Sequence, residues 1–69
     1  MERQSVSSSN LISIGYDQNS QTLEVEFKGG AVYRYFNVPS FEHERLMSAA
    51  SHGIYFNANI RDQYACERA

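Results

Sequence analysis

The stretch Thr22–Pro39, TLEVEFKGGAVYRYFNVP, decides how the chain folds. Leu23, Val25 and Phe27 alternate with Thr22, Glu24, Glu26 and Lys28, the period of a half-buried strand. Gly29-Gly30 marks a turn, and Ala31–Phe36 reads as the returning strand. Two registers compete. A two-residue Gly29-Gly30 loop sets Val25 opposite Arg34, which drives the arginine onto the apolar face and turns Tyr33 and Tyr35 outward. A three-residue loop, Lys28-Gly29-Gly30, shifts the pairing by one and exchanges the faces. Val25 then meets Tyr33, Leu23 meets Tyr35, and Glu24 meets Arg34. That register keeps the apolar face continuous and pairs opposite charges across the strands. It also places Gly30 where such a loop needs a left-handed residue. An unpaired buried arginine costs several kcal/mol in order of magnitude, far more than a change of loop type. The three-residue register is therefore expected, with Tyr33 and Tyr35 mainly in the core and their hydroxyls near its rim.

Working outward, Ile12, Ile14 and Tyr16 alternate with Ser13 and Gly15 and read as a preceding strand. Asp17–Gln21 is a cluster of turn formers. On the other side, Val38-Pro39 ends the last strand, because proline cannot donate to a ladder. Ser40 is the expected N-cap of a helix, with Glu42 and Glu44 in its first turn. Phe41, Leu46, Ala49 and Ala50 share its apolar face, the charges of FEHER (Phe41–Arg45) its solvated face, and Gly53 its C-terminal stop. Phe56, Ile60 and Tyr64 recur at helical spacing, which predicts a short second helix from Asn57, as N-cap, to Tyr64. The expected fold is α+β: a three-stranded antiparallel β-meander followed by one helix and a short C-terminal helical segment. Residues 1–9 are expected to be a partly disordered lead-in, 10–65 a single domain, and 66–69 a flexible tail.

With 69 residues, the chain has room for one domain with a thin core. Five tyrosines and four phenylalanines fill such a core efficiently, so aromatics are expected on stability grounds alone. Six basic residues stand against eight acidic ones, for a net charge of −2. That balance argues against strong non-specific nucleic-acid binding, which needs a basic surface. The single cysteine, Cys66, forms no internal disulfide. No apolar run approaches the ~20 residues of a membrane span, and the polar start lacks a signal-peptide core, so a cytoplasmic location is expected.

Catalytic and metal motifs are weak. Glu42, His43 and Glu44 are adjacent and do not share one helical face. One cysteine and two distant histidines lack zinc-site spacing. Cys66 lies in the tail, away from any expected base, and Gly29-Gly30 lacks the Gly-Lys-Ser/Thr and following helix of a phosphate loop. No enzyme activity, metal or cofactor is expected.

Three segments together, SSSNLISIGYD (Ser7–Asp17), LEVEFKGGAVYRYFNVP (Leu23–Pro39) and AASHGIYFNANIRDQY (Ala49–Tyr64), resemble the KTSC domain family. Its hallmark Tyr-x-Tyr is matched by Tyr33-Arg34-Tyr35, followed by Val38-Pro39. The later Ser-x-Gly-x-Tyr-Phe-Asn-x-x-Ile-Arg corresponds to Ser51–Arg61. The resemblance implies a small domain found at the C-terminus of some lysyl-tRNA synthetases and as free-standing bacterial proteins. RNA binding has been suggested for the family from that association.

The expected function is a small non-enzymatic binding module, with RNA as the ligand that the resemblance to a tRNA-synthetase-associated domain suggests. The alternative is a protein-interaction or self-association module using a sheet edge or an aromatic surface. The candidate nucleic-acid-binding residues are Arg34, Asn57 and Arg61, with Tyr33 and Tyr35. Tyrosine and arginine stack on unpaired bases, and Asn57 and Arg61 project together if four apart on a helix.

Overall fold

The computed structural model describes residues 1–69 and contains one five-stranded antiparallel sheet, β1(Arg3–Ser5), β2(Leu11–Asp17), β3(Thr22–Phe27), β4(Val32–Tyr35) and β5(Cys66–Arg68), in sequential order. Two helices, α1(Ser40–Ser48) and α2(His52–Asn59), lie between β4 and β5 in the chain. The α+β class and the meander are as expected, but the sheet has five strands rather than three. The added strands come from the terminal stretches 1–9 and 66–69, which are paired segments here rather than a disordered lead-in and a flexible tail. Both are three residues long and exposed throughout. They carry no apolar alternation; their support is the backbone ladder, and for β1 also the reach of Arg3 to Glu24 and Glu26 of β3.

The hairpin adopts the three-residue register. Leu23 pairs with Tyr35, Glu24 with Arg34, Val25 with Tyr33 and Glu26 with Val32. The Phe27 amide donates to Ala31 O (2.8 Å) and the Gly30 amide to Phe27 O (3.0 Å). Gly29 and Gly30 both have positive φ, 99° and 94°, which side-chain-bearing residues rarely adopt. The inner face of the sheet carries the core residues Leu11, Ile14, Leu23, Val25 and Tyr35. Val38, Leu46, Phe56 and Ile60 complete the core. Tyr35 and Phe27 each meet the Phe56 ring edge-on, at centroid distances of 5.3 and 5.4 Å.

In β2 the buried apolar side chains are Leu11 and Ile14, while Ile12 is exposed. A β-bulge between Leu11 and Ser13 inserts one extra residue and breaks the expected alternation. The outer face carries a row that runs Arg3, Gly15, Glu24, Arg34 and Glu67 across all five strands. The Arg34 Nε donates to Glu24 Oε2 at 2.9 Å, and Arg3 Nε lies 3.5 Å from Glu24 Oε1. Arg3 reaches Glu24 across Gly15, which has no side chain to block it. A Cβ at Gly15 would sit 2.7 Å from Arg3 Cγ and 2.9 Å from the Glu2 carbonyl.

The helices begin and end elsewhere than expected. Pro39 occupies the N-cap position of α1 and Ser40 is already helical; helical bonding starts at the Pro39 carbonyl, which accepts from the Glu42 amide at 3.0 Å. The second helix starts at His52, not Asn57, because Ser51 caps it by accepting from the Ile54 amide at 3.2 Å. Gly53 is therefore inside α2 rather than at the end of α1, and it is buried beside Ser8 and Asn10. Tyr64 falls beyond the helix yet still packs on the core. Phe41 is exposed beneath the Arg45 guanidinium, and Glu42 is buried in its place.

Two substitutions test this packing. Tyr35→Ala is expected to cost about 3–5 kcal/mol, the range for deleting a buried large aromatic, read from denaturant unfolding. Gly15→Ala is expected to cost about 1–3 kcal/mol through overpacking. It should raise amide exchange in β1 while β3 and β4 stay protected; unchanged exchange in β1 would show that the close approach of Arg3 over Gly15 does not hold that strand.

Candidate nucleic-acid interface

The inner face of β4 does not end at the core. Beyond Tyr35, the edge of the sheet and the first turns of α2 leave a groove of about 670 Å³. Its apolar surfaces include Leu11, Phe27, Tyr33, Tyr35 and Phe56. Tyr33 is half-buried and meets Phe27 edge-on at 5.9 Å, so part of its ring faces the groove. The hairpin end holds Asn10, Lys28 and Ala31, tied together where the Lys28 amide donates to Asn10 O (2.9 Å). The opposite end holds Arg61, Asp62 and Cys66, and α2 contributes Asn57. The size lies within the usual range of roughly 300–1,000 Å³ for ligand sites, and an apolar surface with a few polar groups is their usual lining.

Four of the five sequence-selected residues, Tyr33, Tyr35, Asn57 and Arg61, line this one groove. Arg34 does not. It points from the opposite face of the sheet and is engaged with Glu24. The same alternation that turns both tyrosines inward turns Arg34 away, so Arg34 and Arg61 do not share a surface. Asn57 and Arg61 converge although Arg61 lies past the end of α2; the chain turns at Ile60, and the Arg61 amide donates to Phe56 O at 3.0 Å. Arg61 is exposed, with Asp62 3.5 Å away. Tyr35 is almost entirely buried, so its contribution to the groove is a wall rather than a free stacking surface. Burial, followed by the negative fields of Cys66 and Tyr33, pushes its hydroxyl up from the ordinary 10.0 to about 12.

Lys28, Asn10, Phe27 and Asp62 escaped the sequence reading. The only available signal for Lys28 was the loop register, which places it at the hairpin tip beside the returning tyrosines. Glu42 was missed more completely. Its place among the charges of Phe41–Arg45 predicts a solvated face, yet it is buried and accepts hydrogen bonds from the hydroxyls of Tyr55 and, at 3.0 Å, Tyr64. Burial, then the hydrogen bond to Glu42 and its charge, raises both tyrosines above their ordinary value. Next to it on α1, His43 stacks on Tyr16 with centroids 4.7 Å apart, and burial lowers its pKa. No three His, Cys, Asp or Glu side chains gather as a metal site, and no helix is long and apolar enough to cross a membrane.

A five-stranded antiparallel sheet with two helices over one face, and an aromatic groove at the end of that layer, defines a small α+β domain built around Tyr-x-Tyr. Residues 7–64 match the KTSC domain, and the chain belongs to the KTSC domain family. A crystal structure of a KTSC domain protein from Yersinia pestis superposes with a TM-score of 0.94 at 40% identity, covering 99% of this chain and 96% of that one. An uncharacterised protein from Stutzerimonas stutzeri is 45% identical over 64 residues, 93% of this chain and 90% of that protein. A lysine–tRNA ligase from Nostoc punctiforme is 43% identical over 53 residues, 77% of this chain but only 9% of the ligase.

The tyrosine environments make an alkaline prediction. A folded pKa raised above the unfolded one gives stability that is intact below pH 10 and lost as pH rises from there. For Tyr35 that loss runs from about 10 through about 12. Tyrosinate absorbance should therefore show Tyr35 ionising well above the ordinary 10 while the chain stays folded, and Tyr35→Phe should remove its share of the alkaline loss. Ordinary titration of every tyrosine in the folded chain would contradict the burial described here.

Proposed function

We propose that this chain is a non-enzymatic binding module that accepts an unpaired RNA nucleotide in the groove between β4 and α2. The observation that carries the reading is the convergence there of the half-buried Tyr33 ring, the Asn57 amide and cations at both ends, Lys28 and Arg61. An exposed aromatic face stacks on any base, and amides hydrogen-bond its edge. The two cations suit the flanking phosphates of a single strand. The likeness to a short portion of a lysine–tRNA ligase supports an RNA ligand in particular. The net charge of −2 limits the affinity: with about two phosphates neutralised, binding belongs near the non-specific range of ~10⁻⁴–10⁻⁶ M.

One observation favours a second reading. The outer edges of β1 and β5 carry no partner strand, and open edges accept added strands. Such an association is backbone-driven and insensitive to salt, which separates it from phosphate binding.

The test is titration with a short single-stranded oligoadenylate, followed by amide chemical shifts. Binding should weaken with a log–log salt slope of about −1.4, the value for about two phosphates on single-stranded RNA. Lys28→Gln with Arg61→Gln should abolish it in a chain that stays folded. Arg34→Gln should leave it in place, since that side chain lies on the other face. No shifts at low salt in the wild-type chain would reject the RNA reading. Loss of binding with folded Arg34→Gln would move the site to the outer face.

A further inference from the structure

The groove's Arg61 end is not built by a helix or a long strand. It is a turn, Arg61–Gln63, whose three residues are all exposed. The turn is held at two points. Ile60 anchors its start and is fully buried in the core. Tyr64 anchors its end, with its ring on the core and its hydroxyl donating to Glu42 Oε2 at 3.0 Å. Immediately after this second anchor the chain becomes β5, which closes the groove with Cys66. The strand is short and wholly exposed. Flanking backbone bonds tie it to β4: the Phe36 amide donates to Ala65 O at 2.9 Å, and the Ala69 amide to Val32 O at 2.8 Å.

We infer that Glu42, through Tyr64, is a positioning residue for the groove: it latches the Arg61 turn and β5 in place as a strap along the groove wall, although Glu42 itself does not line the groove. The carboxylate is well suited to this. It lies on α1, a different element from the groove wall, and is nearly buried. Its two oxygens accept from two different tyrosines, Tyr55 on α2 and Tyr64 on the strap. A hydrogen bond to a charged acceptor is stronger than a neutral one. Losing the Tyr64 hydroxyl also leaves a lone pair of a buried carboxylate unsatisfied, which adds to the cost. After Tyr64 the strap has no buried apolar residue of its own, so apart from its backbone ladder to β4 the Tyr64 anchor is what holds it. Ligand seated between Tyr33 and Arg61 would in turn stabilise the strap, because it binds the latched form better than the open one.

The ligand half of this inference rests on the groove being the binding surface; the latch itself does not. The two are separated by pairing amide exchange with the oligoadenylate titration on Tyr64→Phe and Tyr55→Phe. Tyr64→Phe is expected to speed exchange at the Phe36 and Ala69 amides by about ten- to hundred-fold, the effect of losing a hydrogen bond to a charged acceptor. Leu23 and Val25 amides, in the sheet centre, serve as the reference for global unfolding. Tyr55→Phe, which touches α2 and not the strap, should leave Phe36 and Ala69 unchanged relative to that reference. Oligoadenylate affinity should fall several-fold with Tyr64→Phe and stay near the wild-type value with Tyr55→Phe. If Tyr64→Phe exchanges globally, Glu42→Gln, which replaces the charged acceptor of both tyrosines by a neutral amide, is the second variant: Phe36 and Ala69 should exchange faster relative to Leu23 and Val25, and no change there would overturn the latch. Unchanged exchange at Phe36 and Ala69 in Tyr64→Phe would overturn the latch, as would equal effects from both tyrosine variants. A freed strap in a chain whose wild type binds no oligoadenylate would uphold the latch and reject only the RNA reading.

Discussion

The three-residue loop at Lys28–Gly30 constrains everything else in this domain. Side chains in a strand alternate faces, so one residue more or less in the loop would exchange every side chain of β4. As built, the loop sends Tyr33 and Tyr35 to the core side and Arg34 to the outer side. The core depends on that assignment, since Phe56 packs edge-on against Tyr35. The outer face depends on it equally, since Glu24 tolerates burial only with Arg34 on one side and Arg3 on the other. A buried carboxylate stripped of such partners is strongly destabilising. The loop can hold this register because Gly29 and Gly30 both adopt a backbone that other residues resist.

From this one choice the chemistry divides between two surfaces. The outer face becomes a self-satisfied row of charge, in which Arg3, Glu24 and Arg34 occupy one another. The inner face retains more aromatic surface than the helices cover, and the uncovered part is the groove. The tail completes that groove at its far end. It turns at Ile60, presents Arg61 and Asp62, returns to the core at Tyr64 and joins the sheet as β5. The buried Glu42 ties α1, α2 and this tail together. A chain with so thin a core thus uses polar groups, on both faces, to fix elements that apolar burial alone would leave loose.

The parts legible in the sequence are those with strong local patterning. The β3–β4 hairpin followed from alternation, the glycine pair and the cost of burying Arg34. The spacing of Asn57 and Arg61 predicts that they project together from one helix; both line the groove, although α2 ends before Arg61. Failures fall where tertiary contacts outweigh the local pattern. Ile12 leaves the core because a bulge changes the count of residues in β2. Glu42 is buried and Phe41 exposed because Tyr55 and Tyr64, distant in sequence, supply hydrogen bonds to the carboxylate. The terminal strands were invisible because three polar residues form a strand only when a neighbouring edge offers the ladder. Both also lie outside residues 7–64, the stretch that matches the family.

The register is the claim on which both faces rest, and cross-strand NOEs measure it directly. The Phe27 amide bonds to Ala31 O, which makes those two a hydrogen-bonded pair. Pairs alternate along an antiparallel ladder, so Glu24 and Arg34 form a non-bonded pair, whose Cα atoms approach most closely. A strong NOE between the Hα protons of Glu24 and Arg34, with another between Glu26 and Val32, is the predicted result. A strong Hα contact that pairs Val25 directly with Arg34 would contradict it, and with it the division of the sheet into a charged face and an aromatic groove.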